Sequence, residues 1–305
     1  MSTFLSYTLI DSVLHNGEYI DICPKQLYKK FFDKKFIKKH GNNFWVTETM
    51  LKGQYFETKC IGSGRDGHRV DDLPSDNRFS KPVPKVDQTR IDKQVIEWQL
   101  IANKKKIIYD ENFNTQWPIY WRWEKDPNVI IRIHPDIVLT NYLDKNGDSE
   151  NELLASIDLK LTKNIKNTYG KYQWGDVTKK DFLQGKLYSR VIRNFDLKFN
   201  EKINKNIDYK SLLNSKTINL IKNNPYAYIF IYAVFDYSKD LNKFFHKVSY
   251  NPIDDKYVDE CIRKALYKYN ELNRIGFPAN PDYELCKNCK LRFKCNEANY
   301  LEGYI

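Results

Sequence analysis

The chain has 305 residues, of which 41% are hydrophobic and 15% aromatic, and it carries a formal net charge of +11. That length and apolar content suit one large globular domain or two small ones and exclude a disordered chain. No run of about 18 apolar residues and no signal-like N-terminus is present, so we expect neither a membrane helix nor export.

The basic excess favours an anionic partner, and nucleic acid is the commonest one. The chain is also rich in Lys, Asn, Ile and Tyr. A compositional bias of this kind places some lysines on solvated faces, so the charge supports nucleic acid only modestly. The expected location is the cytoplasm of a bacterial or phage-infected cell.

The first third of the chain is predicted to be mainly helical. Helices are expected around SYTLIDSVL and PKQLYKKFF within residues 1–35, and Pro24 suits the first turn of the second one. Residues 44–62 hold a turn and then an apolar-rich segment. Residues 63–85 are rich in Gly, Pro, Ser and Asp and predict a flexible loop. Residues 87–104 carry apolar side chains at helical spacing.

Strands are predicted through the middle of the chain, in KKIIY, WPIYWRWEK, NVIIRIHPDIVLTNYL and LLASIDLKLT, with a hairpin turn over residues 144–150. Helical patterns follow at 177–195 and 208–223. A second strand pair, PYAYIFIYAVFDYS with KFFHKVSYNP, precedes a long helix over 254–274. This order lacks Rossmann-type alternation and predicts an α/β fold in a single domain over residues 1–305.

Two carboxylates and an ammonium lie in neighbouring predicted strands. Asp136 follows Pro135, while Asp158 and Lys160 stand two positions apart, on the face opposite Leu159. Carboxylates from different strands supply the hard oxygen ligands that Mg²⁺ prefers, and the metal activates water for attack on a phosphodiester. A lysine beside the metal can orient or deprotonate that water. Charged groups in so apolar a segment are costly without partners, which favours a functional role.

The pattern Pro135-Asp136 followed by Asp158-Leu159-Lys160 resembles the signature of the PD-(D/E)xK nuclease superfamily. The second acidic residue is Asp158, where glutamate is commoner in the RecB-like branch. An aspartate is shorter, which shifts the expected metal position, but members of the superfamily use either residue.

Two further motifs resemble that branch in the right order. Gly53 is followed four residues later by Glu57, as in the first motif, and Gln184 and Tyr188 match its Q-x-x-x-Y motif. Positions i and i+4 share a helix face, so Gln184 and Tyr188 can point to the same cleft. Glu97 is the alternative to Glu57 as the third acidic ligand.

The resemblance implies a restriction-endonuclease-like mixed sheet flanked by helices. It also implies that carboxylates bind Mg²⁺ or Mn²⁺, that Lys160 activates the water, and that Gln184 and Tyr188 position the substrate. The implied metal ligands are Glu57, Asp136, Asp158 and the Leu159 carbonyl.

Three cysteines near the C-terminus, Cys286, Cys289 and Cys295, form a C-x₂-C-x₅-C pattern. Soft thiolates on one short segment bind zinc or an iron–sulfur cluster. The context of Cys23 resembles RecB-like nucleases of the CRISPR-associated and AddAB types, in which one cysteine precedes the nuclease motifs and three follow. That resemblance implies a 4Fe–4S cluster clasping residues 1–35 to 275–300, while the spacing alone leaves zinc open.

Aromatic and basic side chains near the catalytic strands are candidates for contact with DNA, because bases stack on aromatic rings and lysines bind phosphates. Core packing and solvated helix faces are the alternatives for the same residues. The candidates are Tyr172, Trp174, Lys179, Lys180, Lys186 and Arg190.

The sequence therefore predicts a metal-dependent DNA nuclease, an exonuclease acting on single-stranded or free DNA ends in recombination, repair or CRISPR spacer processing, with a possible helicase or recombination partner. One alternative is a catalytically inactive DNA-binding module that keeps the fold and the cluster. Another is a restriction-type endonuclease with a zinc knuckle.

Overall fold

Helices and mixed β-sheets make up the chain, which confirms the predicted α/β class. The computed structural model describes residues 3–40, 47–62, 83–105, 107, 115–143, 152–165, 174, 177–213, 215–280, 282–287, 289–292 and 295. Two compact units divide the chain, Met1–Tyr7 with Glu48–Val258 and Thr8–Thr47 with Asp259–Ile305. Within the described ranges, no helix combines the length and the apolar character needed to span a membrane.

The strands are β1 (Thr3–Ser6), β2 (Leu14–His15), β3 (Glu18–Tyr19), β4 (Ile119–Arg122), β5 (Val129–Ile133), β6 (Ile137–Leu143), β7 (Glu152–Thr162), β8 (Tyr228–Asp236) and β9 (Lys243–Ser249). The helices are α1 (Tyr7–Asp11), α2 (Pro24–Phe31), α3 (Lys34–His40), α4 (Glu48–Ile61), α5 (Lys85–Lys104), α6 (Leu183–Arg193), α7 (Leu197–Ile203), α8 (Tyr209–Leu212), α9 (Ser215–Asn223), α10 (Pro252–Ile275) and α11 (Tyr283–Cys286).

Two sheets belong to the first unit. One has the order β1-β5-β4, with β1 parallel and β4 antiparallel to β5. The other has the order β6-β7-β8-β9, in which β7 and β8 run parallel and the outer pairs run antiparallel. All nine residues of β8 are buried, as expected for a central strand with a continuous apolar sequence.

The run NVIIRIHPDIVLTNYL, read from sequence as one strand, forms two strands of different sheets. β5 ends at Ile133 and β6 begins at Ile137, so Asp136 lies in the bend between them. Proline has no N–H to donate to a strand ladder, which explains the break at Pro135. The chain therefore passes from one sheet to the other directly at the first predicted catalytic residue.

Several other segments differ from the sequence expectation. Residues Thr3–Ser6, of which only Ser6 belongs to the helix predicted around SYTLIDSVL, pair with β5 as a strand. The apolar part of residues 44–62 is the helix α4, while α5 and α10 confirm the helices predicted at 87–104 and 254–274. Most of the predicted loop over 63–85, most of KKIIY and the turn over 144–150 lie outside the described residues.

The helices α4, α5 and α6 pack on the four-stranded sheet. The ring of Phe235 on β8 lies 5.2 Å from Phe56 of α4 and 6.3 Å from Trp98 of α5, measured between ring centroids. On α6, a Cβ added at Gly185 would stand 3.0 Å from Phe230 and 3.2 Å from Val248. Glycine thus lets α6 lie closer to β8 and β9 than any other residue would allow.

The second unit combines segments from both ends of the chain. Pro24 is the first residue of α2, as predicted. The rings of Tyr28 and of Phe32, the residue after the helix, pack on Phe277 with centroids 5.2 Å and 5.5 Å away. The backbone N–H of Lys25 donates to the Pro278 carbonyl at 3.2 Å. The two segments predicted to bind a cluster are therefore packed together in this unit.

Candidate active site

Asp136 and Asp158 are the two carboxylates at the start of the β6–β7 pair. Both are fully buried. Asp136 stands one residue before the Ile137–Ile157 pair in the strand register, and its Oδ2 accepts a hydrogen bond of 2.7 Å from the Leu159 N–H. The structure thus brings the two predicted aspartates together across neighbouring strands.

Glu57 joins this group through Gln116. The Gln116 side chain donates a short hydrogen bond to Glu57 Oε1, and its backbone N–H donates to the Pro135 and Asp136 carbonyls at 3.1 Å each. Gln116 adopts a left-handed backbone with φ of 54°, which is uncommon for a residue other than glycine and is concentrated at functional sites. A strained residue therefore ties α4 to the bend that carries Asp136.

The thiol of Cys60 lies beside the same carboxylates. Burial raises the pKa of Cys60 well above its ordinary value, and the negative charges of Glu57 and Asp136 raise it further. Both carboxylates therefore lie within electrostatic range of one buried group. Glu97 lies elsewhere, half exposed and paired with Lys243 at 2.5 Å. Of the two candidates for the third acidic residue, the structure places Glu57 near the aspartates.

Lys160 lies on the same face of β7 as Asp158, as the strand alternation predicted. Its Nζ is 2.6 Å from Asp158 Oδ2, in a direction that does not form a hydrogen bond with that oxygen. The Lys160 side chain is 31% exposed, whereas Asp158 is fully buried. The ammonium therefore stands between a buried carboxylate and the surface.

Gln184 contacts the other oxygen of Asp158, donating from Nε2 to Oδ1 at 2.8 Å. The Gly185 N–H donates to the hydroxyl of Tyr232 at 3.0 Å, and Tyr232 pairs with Asp158 in the parallel register of β7 and β8. Burial and then the charge of Asp158 raise the pKa of Tyr232 well above its usual range. Close packing at Gly185 thus holds the start of α6 against β8 and β9.

Tyr188, one helical turn further along α6, contacts the bend before Asp136. Its hydroxyl donates to the His134 carbonyl at 3.2 Å and accepts from the His134 N–H at 3.4 Å. Gln184 and Tyr188 are 5% and 4% exposed. The predicted role of this pair in positioning substrate stays a prediction, and what the structure adds is that both side chains bind the two segments carrying the aspartates.

The residues predicted to contact DNA have protein partners wherever the structure describes them. Trp174 is 7% exposed and packs on Tyr232 at 5.2 Å between ring centroids, with the Lys180 ammonium 4.1 Å from its ring centroid. Lys186 pairs with Asp254 at 3.1 Å. Arg190 pairs with Glu124 and Asp255, at 2.9 Å each. The Tyr172 residue and the Lys179 side chain lie outside the described part of the chain.

The four predicted cluster cysteines line one small cavity in the second unit. Burial raises the pKa of Cys289, and the charges of the other three thiols act in the same direction. Backbone N–H groups of Cys289, Arg292 and Cys295 each donate to the carbonyl three residues earlier, at 3.0, 3.1 and 3.3 Å. These short turns place the three C-terminal cysteines along the same cavity. Cys60 and Cys261 are buried, as expected of small apolar residues.

These donor sets differ in chemistry and fit different metals. The first unit offers buried carboxylate oxygens, the hard ligands of Mg²⁺ and Mn²⁺, and the second offers soft sulfur ligands suited to iron or zinc. In the described residues as they stand, no three acidic, imidazole or thiol groups lie close enough to enclose an ion. Binding at either place therefore requires side chains to move toward a common centre.

Gln116 and Tyr232 are two site residues that the sequence analysis missed. Gln116 precedes β4 with no motif around it, and only its left-handed backbone marks it. Tyr232 sits in an apolar strand, where aromatic residues are usual. The parallel pairing of β7 with β8 places it beside Asp158, and that pairing joins segments more than 70 residues apart.

No protein-family model and no curated protein matches the sequence. Among solved structures, the chain is similar to a "putative exonuclease" from Eubacterium rectale, with a TM-score of 0.53 and 13% sequence identity. The match covers 94% of this chain and 87% of that one. The likeness shows that the two chains share a fold over nearly their full lengths.

Replacing Tyr188 with phenylalanine removes the hydroxyl that bonds to both His134 backbone groups. We expect Tyr188→Phe to lower the free energy of unfolding by about 1–2 kcal/mol, the usual cost of losing such hydrogen bonds. Urea denaturation monitored by circular dichroism measures the change. The matched control is Tyr267→Phe, a residue 67% exposed, with an expected change below about 0.5 kcal/mol. Equal stability of the two variants would contradict the bridging role of Tyr188.

Proposed function

We propose that the first unit is a metal-dependent DNA nuclease that hydrolyses phosphodiester bonds, acting on single-stranded or free DNA ends. The observation that carries this proposal is the joining of two fully buried aspartates across β6 and β7, with Lys160 Nζ 2.6 Å from one of them. Buried carboxylates are costly unless paired or bound to a metal. Lys160 balances one of the three carboxylate charges of Asp136, Asp158 and Glu57, and a divalent cation would balance the other two.

In this proposal Asp136, Asp158 and Glu57 hold a Mg²⁺ or Mn²⁺ ion, with the Leu159 carbonyl as a further ligand. Such a metal lowers the pKa of bound water and neutralises charge on the phosphate. Lys160 lies at the partly exposed edge, where its ammonium can orient the attacking water and its neutral amine can accept a proton. Gln184 and Tyr188 hold Asp158 and the His134 bend in place.

Two observations support a nuclease over other hydrolases. The order of the acidic, lysine and Q-x-x-x-Y motifs resembles the RecB-like branch of the PD-(D/E)xK superfamily. The protein that shares the fold is named as a putative exonuclease. Intact acidic and lysine residues in contact favour catalysis over a DNA-binding module that has lost activity.

Cleavage of end-labelled single-stranded DNA with Mg²⁺ or Mn²⁺ tests the function. We expect wild type to release nucleotides and Lys160→Ala to be slower by about 10²–10⁴-fold, the usual contribution of a positioned acid–base group. The matched control is Lys163→Ala, an exposed lysine three residues further along, which should cleave like wild type. Chelation with EDTA should abolish cleavage. Equal rates for Lys160→Ala and wild type would overturn the mechanism.

Substitution of the two candidate glutamates identifies the third acidic ligand. We expect Glu57→Gln to raise the Mg²⁺ concentration needed for half-maximal cleavage by about tenfold or more, because loss of a group that binds or orients a metal has at least that effect. Glu97→Gln makes the same chemical change where the side chain pairs with Lys243, and it should leave the Mg²⁺ dependence unchanged. A change in Mg²⁺ dependence for Glu97→Gln but not for Glu57→Gln would contradict the assignment of Glu57 as the third ligand.

We further propose that Cys23, Cys286, Cys289 and Cys295 hold a 4Fe–4S cluster with a structural role. Their shared cavity and the soft character of four thiolates support this assignment. The cluster would fasten the segment before α2 to the C-terminal turns, in addition to the Lys25–Pro278 hydrogen bond.

Anaerobically purified protein should show a broad visible charge-transfer absorbance with iron bound. We expect Cys23→Ala to lose both absorbance and iron, because a cluster held by three cysteines is released more readily. Cys261→Ala also removes one thiol, but from a position that does not line the cavity, and it should retain the colour. If the wild-type protein is colourless and contains zinc, the cluster assignment is wrong and the four cysteines bind zinc.

A further inference from the structure

An open groove of about 860 Å³ crosses the first unit at the far end of α6 from Gln184. Its lining comes from the end of α6, the first two residues of α7, the helix α9, Pro225 and Tyr250. The floor is apolar, because Phe195, Ile218 and Ile221 are at most 8% exposed. Concave sites with an apolar floor and a few polar groups are the usual form of binding sites.

Basic side chains dominate the charge of this groove. Three of its four charged lining residues are Arg193, Lys198 and Lys222, and the fourth is Asp196. The Asp196 carboxylate caps α7 by accepting a hydrogen bond of 3.1 Å from the Phe199 N–H, so it is already engaged.

Lys198 and Lys222 are exposed, and neither makes an ion pair with any residue that the structure describes. Their ammonium groups are therefore available to an anionic ligand.

Aromatic rings stand at the edge of the same groove. Tyr250 lies under the Arg193 guanidinium, 4.2 Å from its ring centroid, and Asp255 holds that guanidinium through two hydrogen bonds. Tyr226 meets Tyr250 edge to face at 5.4 Å between centroids and is itself 60% exposed. An exposed aromatic ring in contact with a groove-lining tyrosine, in a groove that carries two unpaired lysines, offers the base stacking and phosphate contact by which proteins bind single-stranded nucleic acid.

The helix α6 connects this groove to the candidate active site. Gln184 contacts Asp158 near the start of the helix, and Arg193 lines the groove at its end. Nine residues of α-helix rise about 14 Å. A few nucleotides of single-stranded DNA extending from the carboxylates of the candidate active site would therefore reach the groove.

We propose that this groove is an auxiliary binding site for single-stranded DNA, which holds the strand a few nucleotides away from the bond being cut. Lys198 and Lys222 contact phosphates, and Tyr226 stacks on a base. The proposal rests on the nuclease function and identifies where the substrate strand lies beyond the reacting bond. None of these three residues touches the catalytic group, so the site should affect affinity and leave the chemical step unchanged.

Binding of an oligo-dT of about 20 nucleotides, measured by fluorescence anisotropy in EDTA so that no cleavage occurs, tests the groove. We expect the Lys198→Gln/Lys222→Gln double variant to bind about tenfold more weakly than wild type, and its slope of log K against log salt to be shallower by about 1.4, since each lost phosphate contact on a single strand removes about 0.7. Tyr226→Ala should weaken binding about fivefold or more with an unchanged slope.

The control is Lys93→Gln/Lys104→Gln, which removes the same charge from exposed lysines of α5 and should bind like wild type. With Mg²⁺, the groove double variant should show a raised KM and an unchanged kcat on the same oligonucleotide. If the groove and control variants bind equally, the groove is not a strand site, although the nuclease function stands. If wild type neither binds nor cleaves the oligonucleotide, the nuclease function fails and the groove proposal fails with it.

Discussion

The hydrogen bond from the Leu159 N–H to Asp136 Oδ2, at 2.7 Å, is the interaction on which the rest of the site depends. It holds a fully buried carboxylate against the strand that carries a second one, Asp158. Removing two charges of the same sign from water costs several kcal/mol per ion, and their proximity adds repulsion. A fold keeps such a pair only where surrounding groups compensate, and here they do so from several directions.

Neighbouring elements hold the segments that carry the two aspartates in place. The helix α6 brings Gln184 to Asp158 and Tyr188 to the His134 bend, and it can do so because Gly185 lets it lie close on β8 and β9. The strained backbone of Gln116 links Glu57 to the same bend. These contacts make the Q-x-x-x-Y pair a support for the acidic residues. Lys160, in contrast, lies nearer the surface, with 31% of its side chain exposed.

The sequence predicted which side chains of the candidate site come together, and it predicted the fold in part. Asp158 and Lys160 were readable because strand alternation places residues two apart on one face, and Gln184 with Tyr188 because helix geometry does the same at a spacing of four. β1 was missed because its partner, β5, lies more than 120 residues away, and local patterns carry no information on such pairing. The division of NVIIRIHPDIVLTNYL between two sheets was missed for a similar reason, since both halves have strand-like composition. The ion pairs of Lys186 with Asp254 and of Arg190 with Asp255 also depend on tertiary structure, which local sequence patterns do not reveal.

The most direct test of the central claim is an anomalous difference map from crystals soaked in Mn²⁺. The account predicts a peak within coordinating distance of carboxylate oxygens of Asp136 and Asp158, with Glu57 turned toward it, and loss of that peak in Asp158→Asn crystals. A peak bound by other residues, or none near the two aspartates at saturating Mn²⁺, would contradict the assignment of this pair as a metal centre.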